Sequence, residues 1–242
     1  MIVQDFRLDN WKDKDYDRLV KYLKQLAEEE YRQFSSKLIP GCDNIMGVRI
    51  PKIRVLAKVI SQGNWREYLS VSTSDSFEEI ALKGAVIGYA TVNFDELLAL
   101  VDSYVKLIDN WAICDYFCVG LKRVKKFENE FLPVIEGYLK SENPWICRVG
   151  IVLLKTYYVK EECVFNVLKL AEAAKHQHYY VHMAQAWLIA ECYTKFPELT
   201  YSYLEKSSFC AEVLSKATQK IKDSYRISKT WKEKALIFCR KK

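Results

Sequence analysis

Apolar residues recur at three- and four-residue spacing through most of the chain, and runs in which they alternate singly with polar residues are missing. Residues 13–34 set Tyr16, Leu19, Val20, Leu23, Leu26 and Ala27 among charges, which predicts one amphipathic helix begun near Asp13 or Asp15. The turn cluster Pro40-Gly-Cys-Asp-Asn44 follows, and then Ile45-Met-Gly-Val-Arg-Ile-Pro51, where Pro51 suits the first position of a helix running to about Ile60. Gly63-Asn-Trp65 and Ser70–Ser76 read as connectors. Phe77 to Ala90 reads as a helix with Lys83 near its middle, at a position expected to be solvated. From Asn93 the pattern resumes with Phe94, Leu97, Leu98, Val101 and Val105. Further helices are expected over 127–140 and 144–158, 161–175 and 179–193, near 198–205, and over 211–226, the last continuing as helix through Phe238. No strand pattern lies between Asn-Gly or Asp-Gly turns, so the expected fold class is all-α.

Phe77, Trp111, Trp145, Tyr179 and Val213 each open such a run, and successive members are 34 residues apart. Each run starts beside a turn or cap residue: Ser76, Asn110, Pro144 and His178 stand at the first four. A helix-pair period of this length predicts a solenoid. Its inner helices, at about 77–90, 110–123, 144–158, 179–193 and 213–226, would line one concave face. Polar and aromatic residues at matching places then meet there. Trp111 and Asp115, four apart, share a helix face; Arg148 and Trp187 occupy comparable places in later runs.

Composition adds three constraints. With 242 residues, 50% hydrophobic, and only eight Gly and five Pro, the chain can bury a sizeable core and has no flexible linker, so one continuous domain over 1–242 is expected. The net charge of +6 is uneven: Lys216, Lys220, Lys222, Arg226, Lys229, Lys232, Lys234, Arg240, Lys241 and Lys242 crowd the end, which permits polyanion binding but also fits a solvated helix face. The eight cysteines lack C-x-x-C and sit in helical patterns (Cys114, Cys118, Cys147, Cys192), as reduced core residues do. Neither a signal-peptide pattern nor an apolar stretch near eighteen residues is present, so a soluble, cytoplasmic protein without membrane contact is expected.

His176, His178 and His182 include a four-residue spacing that metal ligands use, with Cys192 or Glu191 available as a further ligand. H-E-x-x-H is absent, and histidines at a helix start more often cap it, so no metal is expected. G-x-S-x-G and a Gly-rich phosphate loop are also missing, and no cofactor is expected. There remain Trp111, Asp115, Trp145, Arg148 and Trp187, with Tyr179 and Tyr180 nearby. Singly, each tryptophan reads as core and an Asp with an Arg as a structural ion pair. Jointly, a carboxylate between electron-rich indole faces suits a cationic ligand.

Five segments carry a family resemblance: Gly47-Val-Arg-Ile-Pro-Lys-Ile-Arg54, Asn110-Trp-Ala-Ile-Cys-Asp115, Asn143-Pro-Trp-Ile-Cys-Arg-Val-Gly-Ile151, Tyr180-Val-His-Met-Ala-Gln-Ala-Trp-Leu188 and Lys216-Ala-Thr-Gln-Lys-Ile-Lys-Asp-Ser-Tyr-Arg226. With these the chain, from about Tyr31 onward, resembles the AlkD-like DNA alkylation repair family of alkylpurine DNA glycosylases. The resemblance implies a right-handed superhelix of HEAT-like antiparallel helix pairs. It also implies a monomer acting on duplex DNA and hydrolysing the N-glycosidic bond of cationic alkylpurines such as 3-methyladenine and 7-methylguanine, without flipping the base into a pocket.

The family's site falls on Trp111, Asp115, Arg148 and Trp187. Asp115 would stabilise the oxocarbenium-like sugar and orient water, Trp111 and Trp187 would border the deoxyribose, and Arg148 would grip a phosphate, with Lys216, Lys220 and Arg226 as further DNA contacts. One position departs from the pattern: where active members present a tyrosine ahead of the Gly-Val-Arg stretch, the nearest residues are Tyr31 and Phe34. The repeats alone support equally a catalytically inactive paralogue, a scaffold that binds nucleic acid or protein.

Overall fold

The computed structural model describes residues 2–240, without the side chain of Arg240; Met1 and the cluster members Lys241 and Lys242 lie outside the described residues. Among the described residues there are fourteen α-helices and no strand. They are α1 (Asp13–Leu26), α2 (Glu29–Leu38), α3 (Ile50–Ile60), α4 (Trp65–Val71), α5 (Phe77–Tyr89), α6 (Phe94–Tyr104), α7 (Trp111–Gly120), α8 (Glu128–Leu139), α9 (Pro144–Leu153), α10 (Val164–Ala173), α11 (Tyr179–Lys195), α12 (Pro197–Lys206), α13 (Ala211–Asp223) and α14 (Lys229–Ala235). No helix among the described residues is long and apolar enough to cross a membrane. All eight cysteines are free thiols, and Cys42, Cys114, Cys118, Cys147 and Cys192 are buried, whereas Cys210 and Cys239 are exposed.

The chain forms two compact units, Met1–Arg123 and Val124–Lys242. In the first, α5 packs against both α3 and α7, with α6 behind it. Phe77, Ile80, Ala81, Leu82, Val86 and Ile87 of α5 are all buried because this helix has neighbours on several sides. In the second, α11 packs between α9 and α13, while α10 and α12 cover its other side. Val181, Ala184, Leu188, Ile189 and Cys192 form the corresponding buried strip.

The 34-residue period is a period of helix starts. Ser76 Oγ accepts the Glu79 N–H, Asn110 Oδ1 accepts those of Ala112 and Ile113, Asn143 Oδ1 accepts those of Trp145 and Ile146, and His178 Nδ1 accepts that of Tyr180. Each cap satisfies N–H groups that the first turn leaves without helical partners. At the third start the cap is Asn143, with Pro144 inside the helix at its first position.

Four expectations need correction. The helix expected over 13–34 is two helices, broken at Ala27 and Glu28, because the Glu28 N–H donates to the Gly47 carbonyl at 3.0 Å and the Glu28 carboxylate takes Arg49 and Lys52 at 2.8 Å each. The region after Gly63 is not only a connector, since α4 occupies 65–71 behind the Asn64 cap. Lys83 is half-buried and donates to the Ser72 carbonyl at 3.1 Å; burial lowers its pKa. The C-terminal segment is not continuous helix: α13 stops at Asp223 and the chain turns to bury Ile227 before α14 starts.

Candidate active site and nucleic-acid interface

In the first unit, α7 carries Trp111 and Asp115 on one face, both half-buried. The Trp111 indole N–H donates to the Leu38 carbonyl at 3.1 Å, satisfying a carbonyl at the end of α2. That bond ties α7 to the helix bearing Tyr31 and Phe34. Their rings are stacked with centroids 6.4 Å apart; the Arg49 guanidinium lies 4.9 Å from the Tyr31 centroid, and Phe34 is 58% exposed.

The Gly47-Val-Arg stretch is held by α5. Glu78, itself buried, accepts the N–H groups of Met46 at 2.8 Å, Gly47 at 2.7 Å and Val48 at 2.9 Å. Three amides converging on one carboxylate fix the strap that leads into α3. Gly47 has φ of 100°, and a Cβ there would stand 2.6 Å from the Glu28 carbonyl oxygen, so glycine is required for both conformation and space. Glu79 accepts the Tyr16 hydroxyl at 2.6 Å, and burial together with that bond raises the Tyr16 pKa.

In the second unit, Arg148 on α9 is 4% exposed and its Nη1 donates to the Tyr180 carbonyl at 2.5 Å. The Tyr180 ring lies 5.2 Å from that of Trp145. After Leu153 the helix widens into a π turn, Leu154–Tyr158, which carries Lys155. Such wide turns recur at functional sites, and this one puts Lys155 Nζ 3.4 Å from the Trp187 ring centroid. Trp187 lines an open cleft of about 290 Å3 with Glu191, Lys220, Asp223 and Arg226. Arg226 Nη2 meets Glu191 Oε2 at 2.9 Å, and Lys195 meets the other oxygen at 3.5 Å. Burial pushes the Glu191 carboxyl up, but the Arg226 hydrogen bond and the charges of Arg226, Lys195 and Lys155 outweigh it, so its pKa is lowered. Lys216 sits over Tyr179, 5.4 Å from the ring centroid.

Of the residues expected to act, this unit therefore brings Trp187, Lys220 and Arg226 into one cleft and places Arg148 and Lys216 against successive tyrosines, Tyr180 and Tyr179. Lys155, which covers the Trp187 ring, and Glu191, which lines the cleft, were not among the residues expected there. For Glu191 a signal existed: Trp187 and Glu191 repeat the four-residue spacing of Trp111 and Asp115. The three histidines have local partners. His176 Nδ1 accepts the His178 N–H at 3.0 Å, His178 caps α11, and His182 Nδ1 lies 2.8 Å from Glu212. Burial, then the charges of His176 and His182, lower the His178 pKa.

Residues 19–223 match the family described as DNA alkylation repair enzyme, and the chain belongs to that family, whose role is in DNA repair. No curated protein matches it.

Proposed function

We propose that the protein is a DNA glycosylase that hydrolyses the N-glycosidic bond of cationic alkylated purines, 3-methyladenine and 7-methylguanine among them, in duplex DNA. In this reading Trp111 and Asp115 of the first unit, and Arg148 and Trp187 of the second, each serve the reaction. The observation that carries the reading is the Trp111–Asp115 pair on α7 of a chain in the DNA alkylation repair family. An alkylated purine is already a cation and leaves readily, so the barrier lies in the charge that develops on the deoxyribose. The Asp115 carboxylate stabilises that charge and orients a water on the sugar, and the Trp111 indole on the same helix face borders it.

Arg148 donates from Nη1 to the Tyr180 carbonyl and has little exposed surface, so its phosphate contact is narrow and firmly placed. Lys216, Lys220 and Arg226 then supply most of the counterion release. The Arg226 end of its pair with Glu191 is 65% exposed, and a bridge of that kind is worth about 1 kcal/mol or less, so a phosphate can displace it.

A second reading, a helical scaffold that binds DNA without chemistry, is favoured by the structural duties of both tryptophans: Trp111 caps α2, and Lys155 covers one face of Trp187. Release of free base from methylated duplex DNA by the wild type and by Asp115→Asn separates the two.

A further inference from the structure

One cavity of the first unit is used by none of the residues assigned above. It measures about 340 Å3, within the range of small-ligand sites, and is lined by Arg54, Tyr89, Tyr116 and Lys122 over the backbone of Gly88 and Gly120. The glycines make the floor. A Cβ on Gly88 would stand 2.9 Å from the Gly120 carbonyl oxygen, so α5 and α7 meet backbone to backbone and leave the space above them open.

The charge in this cavity is positive. Arg54 and Lys122 are exposed, and among the described residues neither is paired with a carboxylate. Helices α5 and α7 end here, at Tyr89 and Gly120, and each helix end contributes roughly half a negative charge. Two full positive charges outweigh them. Burial raises the Tyr116 pKa to about 12, against the opposing pull of Arg54, so its phenol adds no negative charge at neutral pH. The Arg54 guanidinium lies 5.4 Å from the Tyr116 ring centroid, which holds it at the rim, while Tyr89 is 45% exposed and offers a free-standing ring.

The geometry points to a nucleoside monophosphate unit as the occupant, with its phosphate on Arg54 and Lys122 and its base against Tyr89. Arg and Lys bind phosphate by charge-assisted hydrogen bonds, and a tyrosine face accepts any base by stacking. A bare anion would leave the aromatic wall unused, and an apolar ligand would bury two cations without partners. A free mononucleotide and an unpaired nucleotide of a bound strand share this chemistry. Neither requires cleavage of a glycosidic bond, so the site stands apart from the reaction proposed above.

The test is titration of 2-aminopurine deoxyriboside 5′-monophosphate with the full chain, followed by fluorescence. Saturable quenching is expected, weakened about tenfold or more in R54Q/K122Q, as loss of charge-assisted bonds implies. Because Arg54 packs on Tyr116, K122Q alone provides the control for folding: it should weaken binding several-fold with an unchanged melting temperature. Displacement by a short single-stranded oligonucleotide assigns the site to an unpaired nucleotide of a strand; binding of the mononucleotide without such displacement assigns it to the free nucleotide. Absence of saturable quenching, equal affinity in wild type and R54Q/K122Q, or displacement by inorganic phosphate at the same concentration as by unlabelled mononucleotide overturns the proposal.

Discussion

The Glu78 carboxylate accepts the Gly47 N–H at 2.7 Å, joining the first turn of α5 to the strap that starts α3. Val48 and Met46 donate to the same carboxylate, so Glu78→Ala strands three amides, those of Gly47 and Val48 in the interior and that of Met46 half-buried. The expected cost is about 3 kcal/mol or more, a fall in Tm of roughly 6–12 °C for a chain of this size. Gly47→Ala should also destabilise, since its φ is positive and Glu28 leaves no room for a Cβ. Thermal melts check both; wild-type stability in Glu78→Ala would mean that the strap is held by something else.

The Glu191 pKa is lowered from the ordinary 4.5, chiefly by Arg226 working against burial. A depressed carboxyl contributes stability that is present above the unfolded pKa and lost as pH falls through the folded one. Urea melts should therefore show Glu191→Gln less stable than wild type at pH 7, by about 1 kcal/mol or less because Arg226 is largely exposed, with the difference fading as pH falls from 4.5 through the lower folded pKa. A difference that stays constant across that window would remove the ionised pair from the account.

Lys216 and Lys220 stand on α13, and each phosphate contact they make should add about one unit to the slope of log affinity against log salt. Replacing both by Ala should flatten the slope by about two units. An unchanged slope would show the two lysines to be merely solvated.

Arg148→Ala removes the donor to Tyr180 as well as a cation, so its melting temperature should fall, by the equivalent of about 1–3 kcal/mol, and DNA binding and turnover should weaken together. Turnover that survives the loss of stability would make Arg148 a structural residue only.

The helices were legible because their apolar spacing and their caps agree: Ser76, Asn110 and His178 mark starts that the structure keeps. Helix α4 was legible too, in principle, since Asn64 and Glu67 repeat the cap-and-acid spacing of Ser76 and Glu79. The breaks were not. Nothing local stops a helix at Ala27; it stops because Glu28 is drawn to Gly47, which lies far along the chain. The same holds for the site. Trp111 and Asp115 show their common face by spacing alone, whereas the Lys155–Trp187, Arg148–Tyr180 and Glu78–Gly47 contacts depend on which helices pack together, and periodicity carries no information about that.

Single-turnover release of 7-methylguanine from duplex DNA, measured for wild type and Asp115→Asn beside a DNA-binding assay, tests the central claim. Asparagine keeps the shape and removes the charge, so binding should persist while release falls on the order of 100-fold, the loss of roughly 3 kcal/mol of electrostatic stabilisation. Equal release by the two proteins, or wild-type release no faster than spontaneous loss with binding intact, would contradict it.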